Sequence, residues 1–251
     1  MQNENFNLKK YLKDIVKSQV DMFHTLTEWK DGDYERFGEL LQELEKPFDK
    51  KEESTKSKGD RLENLVEFII KKTYFFNVYR NIHTGTNEVD DIIVLSEEGK
   101  QALYLLGISK DLLEVEGDIF IGECKNYENE LGVTYIGKFY SLMITTGTTF
   151  GIIFTKNGVT GKPAEYHDSH GLMKVIHLIE KYQSNRKFYM LEFSLEDYKK
   201  IYRREADFFS LLKAKKLSID MSCEYDKIID QNRHEKEKDI KKAINEYKKG
   251  S

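Results

Sequence analysis

Residues 149–155, Thr-Phe-Gly-Ile-Ile-Phe-Thr, carry no charge and almost no polarity. The run is too short for a helix, and its aromatic and β-branched side chains read as a strand. Successive side chains of a strand point to opposite faces, so a strand that is apolar throughout needs cover on both. That requirement points to an α/β fold with helices on either side of a sheet.

The surrounding sequence fits. Residues 61–71 have helical spacing, with Leu62, Leu65, Val66, Ile69 and Ile70 on one side, Asp60 placed to cap and Glu63 in the first turn. Residues 75–82, 88–95 and 118–125 read as strands, with a turn-like stretch at 83–87. Residues 132–143 read as a helix that turns Ile136, Phe139, Tyr140 and Met143 inward. The order is therefore α-β-β-β-α-β, closing on the apolar strand. Residues 97–117 are longer than a hairpin needs, and accommodate extra strand length or a helical turn around Leu112-Leu113. A helix at 171–182 and a strand at 186–193 follow.

The flanks are helical. Residues 8–44 carry two apolar stripes, Ile15, Val16, Val20, Met22, Phe23 and Leu26, then Phe37, Leu40, Leu41 and Leu44, with a turn signal at Asp31-Gly32-Asp33. Residues 45–59 are almost all charged or small and polar, which reads as a linker. Residues 195–217 read as helical, and from Glu224 acids and bases mix in an exposed or partner-dependent helix. The expected division is residues 1–57, helical region and linker; 58–194, α/β core; and 195–251, helical region.

Composition narrows the classes. Two cysteines, Cys124 and Cys223, rule out a disulfide scaffold or a cysteine-rich zinc module. No G-x-x-x-x-G-K-[ST] loop occurs, which removes a nucleotide-driven motor. No apolar run approaches the length of a membrane span, and the first residues lack an apolar signal core. The expectation is a cytoplasmic protein with no membrane partner. Lys and Arg total 40 against 44 Asp and Glu, a net charge of −4, which at first sight disfavours a polyanionic partner.

The chemistry concentrates in Asn87-Glu88-Val89-Asp90-Asp91 and Phe120-Ile121-Gly122-Glu123-Cys124-Lys125. The period of two puts Glu123 and Lys125 on one face of their strand and Cys124 on the other, toward a core. Glu88 and Asp90 share a face of theirs. Charges in apolar strands are costly unless paired or bound to a metal. If the strands are neighbours, carboxylates from both meet one lysine. Carboxylate oxygens with water and phosphate are the ligands Mg²⁺ takes. A metal so held activates water toward a phosphodiester, and the lysine orients it or stabilises developing charge. Asp91 is an alternative to Asp90 if the register differs by one; Asp90 is favoured because Glu88 shares its face.

An acid on one strand followed by Glu-x-Lys on the next resembles the PD-(D/E)xK nuclease superfamily, and within it the Mrr-like restriction endonuclease family. The resemblance covers residues 58–161. It includes the helix Lys58-Gly59-Asp60-Arg61-Leu62-Glu63-Asn64-Leu65-Val66, then Glu88-Val89-Asp90, Glu123-Cys124-Lys125, and the apolar strand ending at Thr155-Lys156. It implies a restriction-endonuclease-like mixed sheet flanked by helices, with Asp90 and Glu123 as metal ligands and Lys125 placing the water or stabilising the transition state. Glu63 is implied to support the metal or the lysine. The implied cofactor is Mg²⁺, with Mn²⁺ as substitute, and the implied substrate is double-stranded DNA, cut in restriction or antiviral defence. The long 97–117 insertion departs from the pattern without disturbing the motif. Cutting both strands calls for two sites, so a homodimer is expected. Alternatives are an idle or partner-activated nucleic-acid-binding module of a larger defence or repair assembly, and a structure-specific repair nuclease.

Overall fold

The computed structural model describes residues 8–47, 55–83 and 88–221. They form eight α-helices, a short 3-10 turn and one five-stranded mixed sheet, an α/β architecture. Of the linker expected at 45–59 only residues 48–54, and of the turn expected at 83–87 only residues 84–87, lie outside the described residues, as do Cys223 and the charged terminal stretch; residues 55–59 instead open a helix and His83 ends a strand.

The strands are β1 (Phe76–His83), β2 (Glu88–Leu95), β3 (Ile119–Lys125), β4 (Phe150–Thr155) and β5 (Tyr189–Phe193), in that spatial order. β1, β2 and β3 are antiparallel, each to its neighbour, while β3, β4 and β5 run parallel. The sheet thus changes character at β3, the strand that carries Glu-x-Lys. The helices are α1 (Leu8–Thr27), α2 (Asp31–Glu45), α3 (Thr55–Lys71), α4 (Glu97–Leu105), α5 (Val133–Thr146), α6 (Asp168–Tyr182), α7 (Leu195–Tyr202) and α8 (Phe208–Met221). The expected α-β-β-β-α-β order is present as α3-β1-β2-β3-α5-β4, with α4 and the 3-10 turn Lys110–Leu113 inserted before β3.

The all-apolar β4 is buried along its whole length, and helices cover both faces. On one side Leu62, Leu65, Val66, Ile69 and Ile70 of α3 are fully buried. At about 2 kcal/mol for each fully buried aliphatic side chain, that stripe contributes roughly 10 kcal/mol of gross transfer free energy. The same cluster takes in Phe37, Leu41 and Leu44 of α2 and Phe208, Leu211 and Leu212 of α8, so the flanking helices share the core of the sheet. On the other side Val89, Ile121 and Ile153 pack under Ile136, Phe139 and Met143 of α5 and under α6.

Several sequence expectations change. Asp31-Gly32-Asp33 is the first turn of α2, not a turn between helices; Asp33 accepts a hydrogen bond from the Lys30 backbone N–H at 2.9 Å, satisfying a donor that a helix start otherwise leaves open. The helix expected to start after Asp60 begins earlier, at Thr55, so Asp60 lies within α3 rather than capping it. Within α1 only Phe23 is buried, stacked against Phe75 and tilted against Phe209, while Ile15, Val16 and Met22 are exposed. The helix docks by its C-terminal half alone. The 97–117 insertion folds as α4 because the Ser96 hydroxyl accepts from the Gly99 N–H at 2.9 Å, with Glu97 and Glu98 favouring the helix start electrostatically. The single helical stretch expected over 195–217 divides at left-handed Arg204, and Asp207 and Ser210 then cap each other's backbone N–H to start α8. Among the described residues no helix is long and apolar enough to cross a membrane.

Candidate active site

The β2–β3 register sets the site. Asp91 pairs with Gly122, Ile92 with Ile121 and Ile93 with Phe120, and toward the C-terminal end of β3 the ladder stops at Gly122. At the next step the Asp90 side chain takes over. Its Oδ2 accepts the Cys124 backbone N–H at 2.9 Å, in the place of a carbonyl from β2. Beside it the β1–β2 ladder skips the rung of Asn81, which is left-handed at φ 52°, a conformation asparagine tolerates better than most residues. The interruption lets Asp90 turn onto the end of β3.

There it meets both charged residues of Glu-x-Lys. Lys125 Nζ lies 2.9 Å from Asp90 Oδ2 and 2.7 Å from Glu123 Oε1. Each of these three side chains is about one-fifth exposed, so the group is neither sealed nor freely hydrated. Burial alone lowers the pKa of the Lys125 ammonium, but the Glu123 and Asp90 carboxylates outweigh it and hold the value above that of an ordinary lysine. Lys125 is therefore a fixed cation that takes one oxygen of each carboxylate. The donor set suits a divalent cation of the Mg²⁺ kind: two hard carboxylates, leaving other positions for water and phosphate.

Asp91 faces the other way. It is fully buried, and its Oδ2 accepts the Cys124 thiol at 3.3 Å, while Oδ1 has no hydrogen-bond partner. Burial pushes its pKa up to about 7, against a lowering by the Cys124 hydrogen bond, and the Asp90 charge adds to the rise. Burial and the adjacent Asp91 push the Cys124 thiol well above its usual range, which suits a packed thiol rather than a nucleophile. Between the two candidates left open by the sequence, Asp90 is the one on the face of Glu123 and Lys125. The side chain of Glu88, used to favour Asp90, lies outside the described residues. Gly122 allows this layer to close: a Cβ there would stand 3.1 Å from Phe154 and 3.2 Å from Asp91 Cβ.

Glu63 is engaged elsewhere. Arg80, on β1 and backbone-paired with Asp91, bonds Glu63 through Nη2 and Glu67 through Nη1 at 3.1 Å, and reaches Asn64 at 3.0 Å. The structure thus brings Asp90, Glu123 and Lys125 together and places Glu63 in a neighbouring cluster on Arg80. Among the described residues no three His, Cys, Asp or Glu side chains stand close enough to hold a metal by themselves. Arg80 is the residue whose role sequence reading missed. The available signal was an acid pair four apart on α3, Glu63 and Glu67, with one arginine on an adjacent strand.

Beyond Lys125 the chain is pinned to α3 and to the end of β4. Asn126 Nδ2 donates to the Lys58 carbonyl at 2.7 Å, and Asn157 Nδ2 donates to the carbonyls of Tyr127 and Glu128 at 2.8 and 2.9 Å. These bonds hold the C-terminal end of β3, and with it Lys125, in place. Compared with known protein families, with curated proteins and with solved structures, the chain matches none.

Proposed function

We propose that this chain is a Mg²⁺-dependent endonuclease that hydrolyses phosphodiester bonds of DNA, of the restriction type that its motif resembles. The observation that carries the reading is the convergence of Asp90, Glu123 and Lys125 at the point where β2 and β3 part. Asp90 and Glu123 are the residues to hold the divalent cation, which when bound supplies Lewis-acid stabilisation of phosphate charge and a more acidic water. Lys125, a permanent cation by its carboxylate neighbours, faces the same point and is placed to donate to a phosphate oxygen or orient water. Asp90 is fixed by the Cys124 N–H, so its free movement is small and the carboxylate is preorganised. A twofold dimer, placing one such site on each strand of a duplex, is part of the proposal.

The test is cleavage of supercoiled plasmid with and without Mg²⁺ by wild type, Lys125→Ala and Glu123→Ala. Expected is metal-dependent cutting that falls by at least about a hundredfold in each variant, the range for removing one preorganised stabilising group. Absence of metal-dependent cutting of DNA or RNA by the wild-type chain removes the catalytic claim.

A second reading is favoured by one observation, the engagement of Glu63 by Arg80. If a third carboxylate is needed, a partner subunit that draws Arg80 away would switch the site on, and the chain alone would be a nucleic-acid-binding module. That reading expects Mg²⁺ binding without cutting by the wild type, and cutting restored by Arg80→Ala.

A further inference from the structure

Next to the carboxylate set lies a cleft of about 430 Å³, formed where the end of α2, the start of α3 and the C-terminal ends of β3 and β4 meet. Its walls carry four cations, Lys46, Lys58, Arg61 and Lys156, together with Tyr127 and Asn157. The first and last of the four stand more than a hundred residues apart in sequence, so no local charge run announces them. Among the described residues one acid, Glu128, lines the cleft, and it faces water. Lys46 pairs with Glu43, and Lys58 lies 3.3 Å from Glu128, whose side chain is 66% exposed. Glu45, the next acid along, is occupied by Lys199 at 2.8 Å. Arg61 Nη1 donates to the Lys46 carbonyl at 3.3 Å, which draws α3 and the end of α2 together.

Lys156 is the most informative of the four. It is half-buried at the end of β4, and among the described residues it has no ion-pair partner. Burial, then the charge of Lys58 and that of Arg61, pull its ammonium below the ordinary lysine value, against the opposing charges of Glu45 and Glu128. Like charges gathered in a concave, partly dry wall repel one another, and an anion relieves that repulsion. The cleft is joined to the site through the chain. Tyr127, in its wall, is two residues past Lys125, at most about 7 Å of extended chain. Its phenol feels the charges of both Lys125 and Glu123.

We propose that this cleft binds the phosphodiester backbone of a nucleic acid, with Arg61 and Lys156 as direct phosphate contacts, and leads that backbone to Asp90, Glu123 and Lys125. Arginine offers a planar fork that matches phosphate oxygens, and lysine a point charge, so the pair suits successive phosphates. The inference rests on the nuclease reading for why the strand continues past the cleft. The binding itself does not depend on catalysis.

The test is fluorescence anisotropy with the full chain, in EDTA, on a labelled DNA duplex, an RNA duplex of the same sequence and a single strand. Each is titrated at several salt concentrations. The variants are Arg61→Gln/Lys156→Gln, the single Lys156→Glu, and Lys100→Gln/Lys110→Gln as a control with the same loss of charge on a distant surface. Each phosphate contact on a duplex contributes about 0.9 to the slope of log affinity against log salt. The cleft double variant is therefore expected to weaken binding about tenfold or more at low salt and to flatten the slope by about two, with the control near wild type. The substrate on which the loss is largest identifies the nucleic acid. Equal melting curves exclude unfolding as the cause, and the charge reversal at Lys156 gives a second, independent reading. Binding by the double variant within twofold of wild type with an unchanged slope overturns the proposal, as does a wild type that binds none of the three substrates. Cleavage by Lys125→Ala, run in parallel, separates the two ideas. Lost cutting in Lys125→Ala with normal binding in the cleft variants sinks only the cleft. Weakened binding in the cleft variants with cutting indifferent to Lys125 sinks only the catalytic assignment.

Discussion

Asp91 is a carboxylic acid held in a place built for a neutral group, and this has a measurable consequence. Its pKa of about 7 against an ordinary 3.8 means that the folded chain binds a proton there which the unfolded chain has already released. For an acid raised on folding, the group's contribution to stability is fully present below about pH 4. It declines as pH climbs through the interval to about 7, where the loss levels off. Three units at about 1.4 kcal/mol each give a full loss of about 4 kcal/mol. Roughly half of that, about 2 kcal/mol, falls between about pH 5.5 and pH 8.5. For a chain of this size each kcal/mol moves the melting temperature by about 2–4 °C, so the expected shift is about 4–8 °C.

The clean perturbation is Asp91→Asn, which keeps the shape and an acceptor for the Cys124 thiol but cannot ionise. Other titrating groups, such as the partly buried His170 or Glu192, are common to both proteins and cancel in the difference. Thermal melts of wild type and variant across that pH range should diverge steadily as pH rises. The variant should gain on the wild type by that amount, whatever constant offset the amide brings. A difference between the two proteins that does not change with pH refutes the assignment of a buried, proton-holding Asp91.

Other outcomes follow from the same geometry. Lys125→Met removes the ammonium that competes for one oxygen of Asp90 and Glu123, so calorimetry should show Mn²⁺ binding several-fold more tightly, and Asp90→Asn should abolish it. Gly122→Ala places a methyl against Phe154 and Asp91 in a closed layer and should cost about 1–3 kcal/mol in a denaturant titration. Arg80→Met strips the half-buried Glu63 and Glu67 of their shared cation and should cost roughly 1–3 kcal/mol, recovered in part by adding Glu63→Gln.

What could be read from the sequence follows the range of the physics involved. Strand alternation is local, so Glu123 and Lys125 on one face and Cys124 on the other needed only the period of two. The unbroken apolar run of β4 likewise announced a strand covered on both sides. Strand alternation already favoured Asp90 over Asp91, but which face meets Glu123 and Lys125 depends on the β2–β3 register, a pairing across some thirty residues. The role of Arg80 depended on β1 lying beside α3, and the cationic cleft on the ends of α2, α3, β3 and β4 meeting. The α4 and α8 starts were a different matter: Ser96-Glu97-Glu98 and Asp207 with Ser210 are local capping signals present in the sequence and outweighed there by the apolar pattern around them.

The near-balance of charge, −4 over the chain, acquires a different meaning once the charges are placed. Under the proposed reading, two carboxylates and one ammonium leave the Asp90–Glu123–Lys125 set with one net negative charge, which repels phosphate. A divalent cation makes the same set net positive, so the sign of the field at the reacting point is set by metal and not by the chain. The cations of the cleft, Lys46, Lys58, Arg61 and Lys156, are there whether or not metal is present. Capture of a polyanion and its presentation for cutting are then separable. The cleft can hold a strand without metal, and only the bound cation makes the last few ångströms, from Tyr127 to Lys125, favourable to a phosphate. A net charge is a poor guide to partners for this reason: what a polyanion meets is the local arrangement, and here the cations of one wall gather at a cleft.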